Sequence, residues 1–306
     1  MAVRWDYPRL GNRFSPRLIA PKILTGQFLE RRHLLQGLTH TAVNVLDTAM
    51  VKSFLFACTV AALTCWAPLA QAEMLAKPWV YQIDNQPFEG YVGQNTGFGK
   101  NQPIVILIHD WNGLDQYEKM RTNMLSTQGY TVFAIDLYGQ GVRPKNTEES
   151  KIESGKLYGN LPLMRQRLLA AIAEAKKLPG VDPNRIAAIG YCFGGSAVLE
   201  LARSGADLDG LVSFHGGLAI PPGQDYKALS SPLLILHGAA DPVAPMTQVT
   251  ELAEALNAVK ANFDMDIYGG VRHSFSVWTS DDYDPHADLQ SWSALLAFLE
   301  RHLRSR

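Results

Sequence analysis

Short apolar runs alternate with longer amphipathic segments over most of the chain, beginning near residue 104. The run from Ile104 to Ile108 is apolar throughout, as expected of a strand buried on both faces of a sheet. Strands that alternate with helices are typical of a mostly parallel sheet with helices on both faces. We therefore expect a single α/β domain. In such sheets ligands bind beyond the carboxyl ends of the strands.

The same periodicities predict the individual elements. Strands are expected over residues 104–108, 130–135, 185–189, 211–214, 233–236 and 263–267, and helices over 114–128, 161–177, 246–260 and 289–303, with another helix beginning at Ser196. The segment between Tyr138 and Tyr158 has the least periodicity. Its conformation decides the size of any pocket above the sheet.

An export signal is predicted upstream of this domain. Met50 and Lys52 precede an apolar stretch, 53–66, and the small residues Ala70 and Ala72 follow it, which is the pattern of a secretory signal peptide. The stretch is shorter than the roughly 20 residues needed to span a bilayer. We expect residues 50–72 to be a signal peptide cleaved after Ala72, with an uncleaved anchor as the rival interpretation. The mature protein is then periplasmic or secreted, without stable membrane insertion.

Residues 1–49 lie upstream of a complete signal and show little periodicity. We interpret them as a non-native extension that precedes the true start at Met50, or as a disordered segment. A mitochondrial-type targeting segment is the rival, because the stretch is rich in Arg and poor in acidic residues. The remaining segment, 73–306, is long enough to bury about 70% of its unfolded surface in one core.

Charge and cysteine content narrow the function. The formal net charge is −1, and long Lys or Arg runs are absent, so nucleic acid and anionic membrane surfaces are not expected partners. Cleavage would remove Cys58 and Cys65, which leaves Cys192 as the one thiol and excludes an intramolecular disulfide. A lone cysteine in an exported protein is either buried and inert or retained for chemistry.

Cys192 lies in the motif Gly-Tyr-Cys-Phe-Gly-Gly, residues 190–195, between a predicted strand and a helix. Glycines flank the nucleophile of a nucleophile elbow because side chains there would collide with the sheet or the helix. Cysteine stands where serine is commoner. We expect the turn to expose the sulfur at the sheet edge, beside a helix N-terminus whose dipole favours thiolate.

Two partners follow in chain order. Asp241 lies in a turn after the predicted strand 233–236, and His273 comes after the strand 263–267. Nucleophile, acid and histidine occur in this order in α/β-hydrolases. His273 would accept the thiol proton and Asp241 would orient the imidazole. His109, His215 and His237 are rival histidines that are otherwise bonded to backbone, and Asp207, Asp209 and Asp264 are the weaker acidic candidates.

The loop after the strand 104–108 is where the fold normally supplies its second oxyanion donor. We assign the backbone N–H groups of Trp111 and Phe193 to an oxyanion hole. Trp111 would also pack over the sheet. Tyr138 is a candidate to contact substrate, with packing in the core as the alternative.

The motifs together resemble the dienelactone hydrolase family over about residues 78–303. The residues that carry the resemblance are Gly-Tyr-Cys-Phe-Gly-Gly, His-Asp-Trp-Asn-Gly-Leu, Ile-Asp-Leu-Tyr-Gly, Ser-Phe-His-Gly-Gly, Leu-His-Gly-Ala-Ala-Asp-Pro and Arg-His-Ser-Phe. The resemblance implies an α/β-hydrolase fold and a Cys192, His273 and Asp241 triad. It also implies that neither a metal nor an organic cofactor is needed.

Two positions depart from the best-known member of that family. It has a glutamate at the position of Asp110, which modulates the thiol, and Asp110 keeps the charge on a side chain one methylene shorter. It also has a carboxylate-binding arginine where this chain has Val277. A carboxylate buried without a partner is costly, which weakens the case for a dienelactone substrate. Arg143 and Arg272 are the candidate replacements.

We therefore expect a hydrolase of small carboxylic esters or lactones that acts through a thioester. The alternatives are a non-catalytic protein of the same fold that binds a small ligand or partner, and a redox protein with a reversibly oxidised thiol. The three residues in the expected order disfavour the first alternative. The absence of a second mature cysteine disfavours a two-cysteine redox cycle.

Overall fold

The computed structural model describes residues 73–304, which form one eight-stranded sheet. The strands are β1 (Met74–Ile83), β2 (Gln86–Asn95), β3 (Gln102–Ile108), β4 (Thr131–Ile135), β5 (Val181–Tyr191), β6 (Gly210–Phe214), β7 (Leu233–Gly238) and β8 (Phe263–Tyr268). Their order is β1-β2-β4-β3-β5-β6-β7-β8, and the pairings from β4 to β8 are parallel. The predicted mostly parallel sheet is confirmed. The segments 1–49 and 50–72 lie outside the described residues.

Six α-helices connect or cover these strands within the described range: α1 (Gln116–Ser126), α2 (Thr147–Tyr158), α3 (Leu161–Ala175), α4 (Phe193–Ser204), α5 (Met246–Ala258) and α6 (Pro285–Leu299). Over residues 73–304, none is long and apolar enough to cross a membrane. α6 begins four residues before the predicted start because Asp284 caps it and Pro285 suits the first turn.

The sheet separates two apolar layers, because successive side chains of a strand point to opposite faces. In β3, Ile104, Ile106 and Ile108 pack with the apolar faces of α3, α4 and α5. Val105 and Leu107 pack instead with α1 and α6. This two-sided burial explains why β3 is apolar at every one of these positions. Packing on both faces also fixes the positions of the ends of the parallel strands at one edge of the sheet.

The β1–β2 hairpin was not predicted from the sequence. Only Tyr81 and Ile83 of β1 are buried, so the strand lacks the apolar run that identified the others. Its turn residues Asp84 and Asn85 have φ values of 52° and 62°, the backbone of a two-residue type I′ turn. Both residues tolerate this conformation, although neither supplies the usual turn glycine. β2 pairs antiparallel with β4 and so extends the parallel sheet.

Helix α2 also escaped prediction, because it buries only Ser150, Ser154 and Leu157 and has almost no apolar periodicity. Local capping supports it instead. The Asn146 side chain accepts a hydrogen bond from the Glu149 N–H, and Glu148 and Glu149 lie at the positive end of the helix dipole. The second half of the segment of least periodicity is therefore a helix, and it places Tyr158 beside Phe193.

Candidate active site

The predicted site residues lie at the carboxyl ends of four parallel strands. Asp110 and Trp111 follow β3, Cys192 follows β5, Asp241 follows β7, and His273 follows β8. Their strands are neighbours in the order β3-β5-β6-β7-β8. The loops that leave these strands therefore meet over one edge of the sheet, as expected for an α/β fold.

The turn at Cys192 has the geometry of a nucleophile elbow. Cys192 has φ 51° and ψ −110°, a strained backbone for a residue with a Cβ atom. A Cβ at Gly190 would lie 2.1 Å from the Gly194 carbonyl oxygen, and a Cβ at Gly194 would lie 2.2 Å from the Ile108 carbonyl oxygen. Only glycine fits at both positions. This close approach lets α4 start directly behind the sulfur.

Cys192, His273 and Asp241 form a continuous hydrogen-bonded chain. The sulfur of Cys192 lies 3.1 Å from Nε2 of His273, and Nδ1 of His273 lies 2.8 Å from Oδ2 of Asp241. The Nδ1–H group donates to the carboxylate, which leaves the Nε2 lone pair directed at the thiol. This is the protonation state that a general base needs.

Asp241 is buried, and its two carboxylate oxygens have different hydrogen-bond partners. Oδ1 accepts the backbone N–H groups of Val243 and Ala244 at 2.7 and 3.2 Å, while Oδ2 faces His273. Burial acts to raise the pKa of Asp241, but the hydrogen bond from His273 and the two backbone donors outweigh it and lower the pKa. Asp241 therefore stays ionised and fixes the His273 tautomer.

The Cys192 thiol is held protonated. Burial and the negative charge of Asp110 raise the pKa of the thiol far above its ordinary value, and the backbone N–H groups of Phe193 and Trp111 offset only part of this effect. The helix dipole was expected to favour thiolate, but desolvation outweighs it here. A nucleophilic role for the sulfur would therefore require proton transfer to His273.

The backbone N–H groups of Phe193 and Trp111 show that the loop after β3 lies against the elbow. Both Phe193 and Trp111 direct their backbone donors at the Cys192 sulfur. Donors in this position can stabilise negative charge on an oxygen bound beside the sulfur. The structure thus brings together the two groups that the sequence predicted for an oxyanion hole.

Asp110 is buried beside the thiol. Burial raises its pKa to about 6, while the N–H of Asn112, which donates to Oδ1 at 2.9 Å, acts in the opposite direction. The backbone N–H of Asp110 donates to the buried Glu118. The negative charge of Asp110 is one of the causes that raise the pKa of the Cys192 thiol. Its role in modulating the thiol remains a prediction.

Tyr138 supports the loop after β3, and a second tyrosine near Cys192, Tyr158, was not predicted from the sequence. The Tyr138 hydroxyl donates to the Trp111 carbonyl at 2.9 Å, and a role in contacting substrate remains a prediction. Tyr158 packs edge-on against Phe193, with ring centroids 5.3 Å apart, and its hydroxyl donates to Ser196. It is half exposed beside Cys192. Its location depends on α2, which the sequence did not reveal.

The other candidate residues lie elsewhere or have other partners. His109 and His237 contact backbone carbonyls, and His215 accepts the N–H of Cys192. Asp207, Asp209 and Asp264 lie at or before the starts of β6 and β8, away from the carboxyl ends. Within residues 73–304, no three His, Cys, Asp or Glu side chains are grouped so that they could hold a metal ion.

A polar cleft of about 430 Å³ borders the site, and its lining includes Asp110, Trp111, Ser274 and Val277. Lys145, which lies just before α2, and Thr147, the first residue of α2, also line the cleft. Val277 contributes an apolar side chain at the position compared above with a carboxylate-binding arginine. The two candidate replacements for that arginine have other partners, because Arg143 donates to the Glu89 carbonyl and Arg272 pairs with Asp282.

Comparisons with known proteins agree with this fold and geometry. The model of the dienelactone hydrolase family matches residues 88–303. A Synechocystis protein that is named, by inference, a carboxymethylenebutenolidase is 26% identical to this chain, over 74% of this chain and 98% of its own length. A Bradyrhizobium protein that is named, by inference, a 2-oxo-3-(5-oxofuran-2-ylidene)propanoate lactonase is 25% identical, over 76% of this chain and 96% of its own length.

A solved structure gives the same picture. A dienelactone hydrolase-like promiscuous phosphotriesterase from metagenomic libraries superposes with a TM-score of 0.70 and 27% identity. The match covers 75% of this chain and 98% of that protein. The chain therefore spans nearly the whole length of these relatives, and the similarity is one of complete domains.

Proposed function

Because the chain belongs to the dienelactone hydrolase family, we propose that it hydrolyses small carboxylic esters or lactones with Cys192 as the nucleophile. The observation that carries the proposal is the 3.1 Å contact between the Cys192 sulfur and Nε2 of His273. A thiol in contact with an oriented base is the arrangement that nucleophilic catalysis requires. The lactone-hydrolysing names of the relatives support the substrate class.

In the first half of the reaction, Nε2 of His273 accepts the thiol proton as the sulfur attacks the ester carbonyl carbon. The carbonyl oxygen becomes negatively charged and accepts hydrogen bonds from the N–H groups of Trp111 and Phe193. Asp241 stabilises the imidazolium through Nδ1–H. The carbon–oxygen ester bond then breaks, the alkoxide takes the proton from Nε2, and a thioester remains on Cys192.

In the second half, His273 takes a proton from water, and the hydroxide oxygen attacks the thioester carbon. The same two N–H groups bind the oxyanion, the carbon–sulfur bond breaks, and the sulfur regains the proton from His273. The product is a carboxylic acid. For a lactone, the acid and the released hydroxyl belong to the same molecule.

The cleft favours small uncharged acyl groups in this proposal. Val277 offers no charge to a substrate carboxylate, and Arg143 and Arg272 are occupied by other partners. Lys145 lines the cleft but is exposed, so water and salt screen its charge. We therefore propose neutral esters and lactones as better substrates than a dienelactone, which carries a carboxylate.

Hydrolysis of a panel of aryl esters, neutral lactones and a dienelactone by the purified protein and by Cys192→Ala tests this function. We expect turnover of neutral substrates that disappears in Cys192→Ala, together with a burst of alcohol release equal to the enzyme concentration if thioester hydrolysis is slow. Equal rates for the two proteins would refute the thiol mechanism. Binding of these compounds without turnover would support a ligand-binding protein instead.

A further inference from the structure

His215 occupies a place in the site that the proposed triad does not account for. It follows β6, between the elbow on β5 and the Asp241 turn on β7, and it is fully buried. Its ring lies 5.4 Å from the His273 ring in an edge-on arrangement and 5.1 Å from the Phe275 ring. A fully buried histidine beside a catalytic base requires defined partners on both ring nitrogens.

One ring nitrogen of His215 faces the nucleophile. The backbone N–H of Cys192 is shared between the Phe214 carbonyl, at 3.0 Å, and Nδ1 of His215, at 3.2 Å. Since the N–H is the donor, Nδ1 must carry a lone pair and not a proton. His215 therefore supports the residue whose backbone has the strained φ of 51°.

The other ring nitrogen faces the loop that carries the base. With Nδ1 as the acceptor, Nε2 carries the proton and donates to the hydroxyl oxygen of Ser276, which is 2.9 Å away. Ser276 lies three residues after His273. One imidazole, 23 residues after Cys192 and 61 residues before Ser276, thus joins the backbone of the nucleophile to the segment that holds its base.

A network of buried polar side chains also contacts Ser276. Its hydroxyl lies 3.1 Å from the Tyr117 hydroxyl, which also accepts Nε–H of Arg121 at 3.1 Å. Arg121 is buried, donates to the Ser276 carbonyl at 2.8 Å and pairs with Asp288 on α6. Its guanidinium stacks near Trp278, 4.3 Å from the ring centroid. The His273 loop is therefore fixed to the helix layer as well as to His215.

Burial, together with neighbouring charges, keeps His215 in the neutral state that these two hydrogen bonds require. Burial lowers its pKa well below the ordinary value, and the neighbouring His273, His237 and Arg121 act in the same direction. A proton on Nδ1 would also face the N–H of Cys192. His215 itself has a φ of 37°, so two adjacent strand ends carry strained backbone that only their surroundings maintain.

We propose that His215 is a positioning residue that sets the separation between the Cys192 sulfur and the His273 imidazole by bonding to the backbone of Cys192 and to Ser276. The inference rests on the proposed thiol nucleophile. Its consequence is kinetic, because a displacement of about 1 Å between reacting groups can cost about 100-fold in rate. Substrate binding in the cleft does not involve His215.

Two substitutions of His215 test the roles of its two ring nitrogens separately. An asparagine side chain places its amide oxygen near the position of Nδ1, and a glutamine side chain places its amide nitrogen near that of Nε2. In His215→Asn, we expect kcat to fall about tenfold, as in Ser276→Ala, because the acceptor for the Cys192 N–H is kept but the donor to Ser276 is lost. In His215→Gln, the acceptor for the Cys192 N–H is lost, and we expect kcat to fall by roughly 10- to 100-fold, within the range for a misplaced group, with KM changed less than about twofold in both variants.

Alkylation of Cys192 by iodoacetamide gives a readout that does not depend on turnover. We expect both variants to shift the pH profile of alkylation to higher pH, because each breaks one of the two links that align the thiol with its base. Parental kcat values and parental alkylation profiles in both variants would overturn the proposal. Loss of activity in Cys192→Ala tests the nucleophile separately, so the two failures are distinguishable.

The hydrogen bond between His215 and Ser276 can also be tested by a substitution that leaves His215 unchanged. Ser276→Ala removes the acceptor of Nε2–H, and Ser291→Ala is its matched control, because Ser291 is equally buried but bonds only to the Asp288 carbonyl on its own helix. We expect Ser276→Ala to lower kcat about tenfold and to shift the alkylation profile, and Ser291→Ala to do neither. The same response in both serine variants would overturn the proposal, even if His215→Gln does not fold.

Discussion

The state of the Cys192 sulfur depends on competing effects at a single atom. Burial and the carboxylate of Asp110 raise the thiol pKa, whereas the N–H groups of Phe193 and Trp111 lower it less strongly. The resting thiol is therefore neutral, and in the proposed mechanism it becomes nucleophilic when His273 takes its proton. A neutral thiol should also be oxidised slowly, because thiolate is the form that oxidants attack.

Asp110→Asn should make the thiol easier to ionise, because it removes a negative charge that opposes thiolate. We expect iodoacetamide alkylation at pH 8 to be faster on the order of tenfold, which corresponds to about one unit of thiol pKa. The parent profile should also show an inflection near pH 6 from Asp110 itself, which the variant lacks. Identical profiles would remove Asp110 from the mechanism.

The same substitution should change the pH dependence of stability. The pKa of Asp110 is raised by folding, from an ordinary 3.8 to about 6, so its ionisation opposes folding. Stability contributed by the protonated carboxyl is complete below pH 4 and is lost as the pH rises through 6. Urea unfolding should therefore find Asp110→Asn more stable than the parent at pH 8 and closer to it at pH 4. A variant that is less stable at pH 8 would contradict this account.

Asp241→Asn should impair catalysis without removing the residue from its turn. The amide nitrogen of asparagine would donate to Nδ1 of His273 and force the proton onto Nε2, which can then no longer accept from the thiol. We expect kcat to fall by about 10² to 10⁴-fold, measured on the best ester of the panel. Asp207→Asn is the control, because Asp207 is exposed and precedes β6. Equal losses in the two variants would reject the triad assignment.

At the scale of the elements, the site is a set of strand ends under local strain. Cys192, His215 and Ser274 have φ values of 51°, 37° and 56°, and each lies in a loop that leaves one of the parallel strands. Strained residues persist where the surrounding structure determines their backbone. The two apolar layers of the sheet and the close contact of α4 with β3 provide that constraint.

Gly194→Ala should disrupt the elbow, because its Cβ would lie 2.2 Å from the Ile108 carbonyl oxygen and 2.7 Å from that of His109. We expect a loss of stability of at least about 1–3 kcal/mol, the range for overpacking, with a large loss of kcat. Gly155→Ala on α2 is the control, since its Cβ would meet no atom within 4 Å. It should stabilise by roughly 0.5–1 kcal/mol. Denaturant unfolding that ranks the two variants the other way would contradict the elbow geometry.

At the scale of the whole molecule, the hydrolase is contained in one part of the chain. The family match covers residues 88–303, and every residue of the site lies between Asp110 and Val277. The upstream segment contributes none of these residues. We propose that residues 50–72 direct export and are removed, so that the mature domain acts in the periplasm or outside the cell.

Cleavage after Ala72 predicts that the protein recovered from a bacterial periplasm or medium begins at Glu73. Intact mass and N-terminal sequencing of that fraction measure the cleavage site. Replacement of both Ala70 and Ala72 by Asp should leave an uncleaved, membrane-associated precursor, because signal cleavage requires small residues at these positions. Recovery of the unmodified full chain from the cytoplasm would refute the export proposal.

Local patterns in the sequence were sufficient for the fold class and the order of the chemical groups. β3 is apolar throughout because it is buried on both faces, and the glycines around Cys192 are required by contacts that only an elbow creates. The positions of Asp241 and His273 after their strands follow from the same alternation. These features depend on short-range periodicity and steric constraint, both of which are visible in a single chain.

Tertiary structure decided the properties that depend on distant contacts. The β1–β2 hairpin and α2 have too few buried apolar residues to show a period, so the place of Tyr158 beside Phe193 was not predictable. The protonated state of Cys192 follows from its desolvation, which no local motif reports. His215 was only a rival histidine in the sequence. Its link from Cys192 to Ser276 exists because parallel strands bring segments far apart in sequence to one sheet edge.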